Sequence, residues 1–139
     1  MPRFMMLIYP NITEEQYEEG VSAEDAGAMQ KFNEALTQAG VLLALDGLHP
    51  ASKGARVGVK GGKKTVTDGP FTEAKELVGG YWLIDVKSKE EAVEWASRAP
   101  IDEGDVIEVR QVFEMSDFDQ DVQDAAQLSQ EPPEQTQAR

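Results

Sequence analysis

A chain of 139 residues, 40% of them hydrophobic, has room for one domain with a real core plus a tail. It contains no cysteine, which excludes disulfides, thiolate metal sites and a cysteine nucleophile, and no run of 18 apolar residues, which excludes a membrane-spanning helix. The formal net charge of −13 opposes the cationic surface that binding to DNA or RNA requires.

The N-terminus runs straight into a strand, Arg3 to Tyr9, too short for the apolar core of a signal peptide and without a small-residue cleavage site, so a cytoplasmic protein is expected. Phe4, Met6 and Ile8 alternate with Met5, Leu7 and Tyr9, and both sets are apolar, the pattern of a strand covered on two sides. Pro10-Asn11 ends it. A short helix follows, with Thr13 as cap, Gln16 returning the bond and Ile12 stapled to Tyr17. Ser22 opens the first main helix with Asp25 as capping partner; Met29, Phe32, Leu36 and Ala39 form its apolar stripe and Gly40 its terminator. That stripe reads as core rather than as a cofactor site.

Val41 to Leu48 is the second strand, broken by His49-Pro50. Ala55–Val59 and Lys63–Thr67 are two short strands joined by a Gly61-Gly62 hairpin turn. From Gly47 to Thr67 there are five bases and no acid, which suits a lysine-protected edge or a landing patch for an anionic partner. The glycine spacing does not fit a phosphate-binding loop. Asp68-Gly69-Pro70 is turn chemistry, with Gly69 expected to tolerate unusual backbone angles. Thr72–Leu77 is a loop or a single helical turn. Val78–Val86 is the most apolar strand, and Gly79-Gly80 at its start signals a bulge or a close approach by backbone or ligand. Ser88 and Glu91 cap the second helix, Ala92, Trp95, Ala96 and Ala99 form its buried stripe, and Pro100 stops it. Asp105–Met115 is the last strand, with Ile107, Val109, Phe113 and Met115 on one side. Residues 116–139 form an acidic, glutamine-rich tail, in which Asp121–Leu128 is able to form a helix.

This order gives an α+β domain over residues 1–115: a ferredoxin-like antiparallel sheet with two helices on one face. Phe4–Tyr9 and Tyr81–Ile84 are apolar on both sides, so the uncovered face would be a large exposed patch, and a second copy of the sheet is the simplest cover. A homodimer is therefore expected from the pattern alone.

Asp68-Gly69-Pro70-Phe71, followed by Thr72-Glu73-Ala74-Lys75-Glu76 and Gly79-Gly80-Tyr81-Trp82-Leu83-Ile84-Asp85, resembles the DGPF-domain proteins of the YCII-related family. Phe4–Tyr9, Ala39-Gly40-Val41 and Ile107–Arg110 extend the resemblance over residues 3–115. It implies a small, soluble bacterial protein, a ferredoxin-like unit paired as a dimeric α/β barrel, and a biochemical role mostly unassigned. It also implies an association with sigma factors of the extracytoplasmic-function class, and so a regulatory setting. Members of the family are suspected of using a His–Asp pair in the pocket; no motif maps that histidine onto this chain.

The candidate site residues each carry two readings. Asp68 is either an acid/base at a pocket rim or a turn former bonded to backbone amides. His49, the lone histidine, is a proton shuttle paired with Asp46 or Asp68, or a loop residue before proline. Phe71 is a pocket wall. Glu73, Lys75 and Glu76 order the loop or touch ligand. Tyr81 and Trp82 point to opposite sides of the sheet, one to the helices and one to the dimer cavity. Arg110 binds an anionic group, or pairs with Glu108. No metal or cofactor is expected: carboxylates and one histidine form no recognised ligand motif, and neither Gly-x-Ser-x-Gly nor Gly-x-Gly-x-x-Gly occurs. Three functions follow: a dimeric small-molecule-binding protein, a cofactor-independent enzyme using Asp68 and His49, and a protein-interaction module.

Overall fold

The computed structural model describes residues 1–69 and 77–130, the last four of these by backbone alone. The elements are β1 (Arg3–Tyr9), α1 (Glu14–Glu18), α2 (Ala23–Gln38), β2 (Leu42–Gly47), β3 (Ala55–Lys60), β4 (Lys63–Asp68), β5 (Gly80–Asp85), α3 (Lys89–Ser97), β6 (Val106–Gln111) and α4 (Gln120–Gln130). Four strands form one antiparallel sheet in the order β2-β5-β1-β6, while β3 and β4 pair only with each other. No described helix is long and apolar enough to cross a membrane.

The caps legible in the sequence set the helix starts. Thr13 Oγ1 accepts from the Gln16 amide (3.1 Å), and the Thr13 amide donates back to Gln16 Oε1 (2.8 Å), a complete capping box on α1. Ser22 caps α2 through the Asp25 amide (3.1 Å) and Ser88 caps α3 through the Glu91 amide (3.2 Å). The Glu91 carboxylate reaches one residue further back than a capping box requires and accepts from the Lys87 amide (3.0 Å). Gly40, at φ +73°, closes α2, and the Val41 amide turns back onto the Leu36 carbonyl (3.2 Å).

Alternation divides the sheet into two faces. Phe4 and Met6 of β1 and Trp82 and Ile84 of β5 are buried under Phe32 and Leu36 of α2 and under Ala92, Trp95 and Ala96 of α3, with Ala99 just past the end of α3. Both helices therefore lie on one face. Ala39 falls outside the core because it is the C-cap of α2 and sits exposed at its end. The other face carries two cross-strand rows in register: Ala44–Leu83–Met5–Arg110 and Asp46–Tyr81–Leu7–Glu108. None of these residues belongs to the core.

Two strand ends differ from the sequence reading. β2 bulges between Leu42 and Ala44, which leaves Leu43 half exposed and restores the alternation beyond it. β6 stops at Gln111 because β1 begins at Arg3 and no partner backbone continues past the bond from the Val112 amide to the Arg3 carbonyl (2.8 Å). Phe113 consequently projects outward against Phe118 (ring centroids 4.9 Å), and Met115 enters a short 3₁₀ turn. Arg3 clasps Glu114 through Nε (2.7 Å) and a second nitrogen (3.2 Å). That hydrogen bond holds the Glu114 carboxyl below its ordinary range. The clasp thus acts above the ordinary carboxylate pKa and is lost as pH falls through the lowered one.

Gly69 does not use its conformational freedom, as its φ is not positive. It is required for space: a Cβ there would lie 1.7 Å from the Ala51 carbonyl oxygen. At Gly80 a Cβ would lie 2.6 Å from the Asp46 carbonyl oxygen, so the close approach signalled by Gly79-Gly80 is that of the neighbouring strand β2. Gly27, in the middle of α2, faces open space. Gly69→Ala and Gly80→Ala should each lose about 1–3 kcal/mol in urea unfolding, whereas Gly27→Ala should gain about 0.5–1 kcal/mol.

Candidate functional site

An apolar cavity of about 380 Å³ opens at the end of the sheet where β1 and β2 finish and β5 begins. Its floor is Ile8, Leu45 and Trp82, residues that also belong to or pack on the core. Met29 and Asn33 of α2 form one wall, and Ile12, Tyr17 and Val21 form the other. Met29 thus serves as both core flank and cavity wall. The cavity is placed by local rules: Ile12 and Tyr17, spaced as a hydrophobic staple about α1, both line it, and the Ser22 cap starts α2 beside it.

Tyr17 is the tie across this site. Its hydroxyl faces two carbonyls, those of Leu48 and of Gly79, the latter at 3.1 Å. A phenol has one proton to donate, so the two acceptors share it. The Gly79 carbonyl also accepts from the Leu48 amide (2.9 Å), and the Gly79 amide donates to the Ile8 carbonyl (2.8 Å). Burial, with the Glu14 carboxylate second, raises the Tyr17 pKa, which keeps the phenol a donor at neutral pH.

On the opposite wall the indole nitrogen of Trp82 donates to Asn33 Oδ1 (2.8 Å), while Phe32 packs edge-on to the Trp82 ring at 5.6 Å. This bond uses the Asn33 oxygen and leaves its amide nitrogen as a donor at the cavity wall, without a partner among the described residues. At the rim, Tyr81 donates to Asp46 Oδ2 (2.7 Å) across the β2–β5 pair. That hydrogen bond, reinforced by the carboxylate charge, raises the Tyr81 pKa. Both phenols are held as donors, and apart from Asn33, Asp46 and backbone the lining is hydrocarbon and indole.

The residues proposed from sequence are dispersed. Tyr81 and Trp82 both contribute to the cavity, Trp82 from the helix side and Tyr81 from the rim. Asp46 accepts from Tyr81, and among the described residues no hydrogen bond or ion pair joins His49 to Asp46 or Asp68. His49 is exposed just past β2. Asp68 ends β4 opposite Ala55, outside the cavity lining. Arg110 and Glu108 form a loose, exposed pair at 3.8 Å along one strand, not across two. Phe71, Glu73, Lys75 and Glu76 lie outside the described residues. Tyr17, Val21 and Asn33 were not singled out as site residues. The available signals were the Ile12–Tyr17 spacing and a lone amide beside the Phe32 stripe.

Residues 3–116 match the family described as the YCII-related domain. An uncharacterised protein of Rhizobium meliloti (strain 1021) is 39% identical over 59 residues, a stretch that covers 42% of this chain and 48% of that protein. The match therefore spans about half the length of that curated relative.

The Tyr81–Asp46 bond has a spectroscopic consequence. In an ultraviolet titration Tyr17 and Tyr81 should both ionise above the ordinary phenol range, and Asp46→Asn should bring one of the two transitions down toward it. A titration that Asp46→Asn leaves unchanged would show that the carboxylate does not hold the phenol.

Proposed function

The chain belongs to the YCII-related family, and on that footing we propose that it is a dimeric binding protein for a compact, mainly apolar small molecule. The observation that carries this reading is the cavity beneath Tyr17. Its size is within the range that small ligands fill, about 300–1,000 Å³, and its lining is predominantly hydrocarbon and aromatic with the Asn33 amide as an orienting donor. A ligand with a flat or branched apolar body and one acceptor atom is the chemical fit.

Two finer assignments go with it. The order β2-β5-β1-β6, with one helix after β1 and one after β5 packed on a single face, supports a ferredoxin-like class. The uncovered rows through Met5, Leu7, Tyr81 and Leu83 support pairing of two sheets face to face as an α/β barrel. A cytoplasmic, sigma-factor-linked regulatory setting belongs to the same proposal and rests on the family resemblance.

The test is a screen of small aromatic and branched aliphatic carbonyl compounds by thermal shift on the full chain. A true ligand at 100 times its Kd should add about 2.7 kcal/mol of stability. Met29→Trp, which fills the cavity from its wall, should abolish that gain while the circular dichroism of the free protein is unchanged. A ligand that stabilises the filled variant equally would place binding elsewhere.

A further inference from the structure

The segment from Ile12 to Val21, which carries α1, is held unlike the rest of the domain. None of the α1 residues is buried, and a five-residue helix is too short to persist by its own backbone bonds. Yet the segment lines the candidate cavity through Ile12, Tyr17 and Val21. It also lines an adjoining cavity of about 620 Å³ through Gln16, Glu19 and Gly20. The two cavities share Ile8, Met29 and Asn33, so the segment is part of the wall of both.

Two side-chain attachments fasten it to the body. The Tyr17 hydroxyl reaches the carbonyls of Leu48 and Gly79, and the Glu14 carboxylate accepts from the Ser52 amide (3.2 Å). The two ends of the segment differ. Before it, the Asn11 amide donates to Asp105 Oδ1 (2.7 Å), and Asn11 packs so closely on Gly104 that a Cβ there would lie 2.3 Å from its amide nitrogen. At the far end Gly20 has a φ of +86° and open space where a Cβ would stand. The chain is pinned at Asn11 and has its conformational freedom at Gly20.

We propose that residues 12–21 form a latched strap: the segment lifts from the cavity to admit a ligand, and Tyr17 and Glu14 are the latches that hold it shut. This deepens the small-molecule reading above and rests on it. The attachments suit the task. A hydrogen bond at the edge of the fold exchanges for one to water at small net cost, so such latches open readily where a buried side chain would not. The groups that receive them, at Leu48, Ser52 and Gly79, lie outside the strands, and lifting therefore breaks no bond of the sheet. The Thr13–Gln16 capping box and the Tyr17 amide's bond to the Thr13 carbonyl (2.9 Å) are internal to the segment, so α1 travels as a unit. Segments that gate ligand entry belong to the least stable parts of a fold, and this one is fastened least.

The experiment uses the full chain. Hydrogen exchange is followed at the Tyr17, Glu19 and Gly20 amides, which bond to carbonyls within the segment. In the wild type their protection should be at least about tenfold below that of the β1 and β5 amides, the mark of a separate local opening. Tyr17→Phe and Glu14→Ala should each lower it by a further factor of about three or more, the effect of one net hydrogen bond, with the strand amides unchanged. Glu18→Ala, at an exposed position of α1, is the control and should not lower it. Entry is then timed by stopped-flow fluorescence with N-phenyl-1-naphthylamine as the probe. Tyr17→Phe should speed association and dissociation together and leave Kd within about twofold, because a gate changes the path and not the end states. Protection in the segment equal to that of the strands, or a Tyr17→Phe variant that loosens segment and strands alike, would overturn the strap and leave the cavity reading standing. A Kd that rises without faster association would do the same, by making Tyr17 a wall and not a latch. Probe binding that survives Met29→Trp would instead overturn the cavity reading, and with it the role of the strap in entry.

Discussion

The indole of Trp82 has to be buried and hydrogen-bonded at once, and the way the protein meets both demands organises the domain. The ring is 5% exposed, edge-packed by Phe32, and its N–H is satisfied by Asn33 one residue further along α2. A buried indole donor without an acceptor would forfeit about 1–3 kcal/mol. The Phe32-Asn33 pair thus pins the rotation of α2 about its axis as well as its distance from the sheet. That rotation brings Met29, one helical turn earlier, to the sheet's end, where it becomes the wall of the cavity. Core packing and candidate site are therefore two parts of one contact surface.

The end of the sheet is closed by atoms that leave no tolerance. Gly80 passes within a Cβ's reach of the Asp46 carbonyl, and Gly79 passes Pro10 at 3.2 Å by the same measure. Tyr17 bonds to the carbonyls on either side of this crossing, those of Leu48 and Gly79. The backbone amides and carbonyls at the junction of β1, β2 and β5 are thereby paired. The Tyr17 and Tyr81 hydroxyls at the cavity boundary are engaged in this way, which leaves the Asn33 amide nitrogen as its donor. The hairpin between β2 and β5 is inserted beyond this junction, so it extends from the domain without disturbing the sheet: Gly47 and Gly80 remain paired in register across the insertion.

Local pattern was a reliable guide wherever a feature depends on neighbours a few residues away. The capping residues Thr13, Ser22 and Ser88, the Gly40 terminator, the Gly61-Gly62 turn with both φ angles positive, and the buried alanines around Trp95 could all be read from spacing. The same logic failed at Phe113 and Met115, which alternate correctly but have no strand beside them, since β1 starts at Arg3. It also misjudged Gly69, whose need for glycine comes from the Ala51 carbonyl 18 positions away and not from its own dihedral angles. Asp46–Tyr81 and Trp82–Asn33 are pairs separated by 35 and 49 residues. Sequence nominated Asp46, Tyr81 and Trp82 but not Asn33, and had no means of joining them.

By itself the sequence determined the α+β class, the helix limits within a residue or two, the two-sided apolar character of β1 and membership of a family, because all of these follow from short periodicities and a contiguous motif. Only the tertiary structure decided which aromatic meets which acceptor, where the cavity opens, and that the hairpin stands outside the core. Those outcomes depend on the relative placement of β1, β2, β5 and α2. Sheet register and helix rotation set that placement, and both arise from many weak contacts between residues distant in the chain.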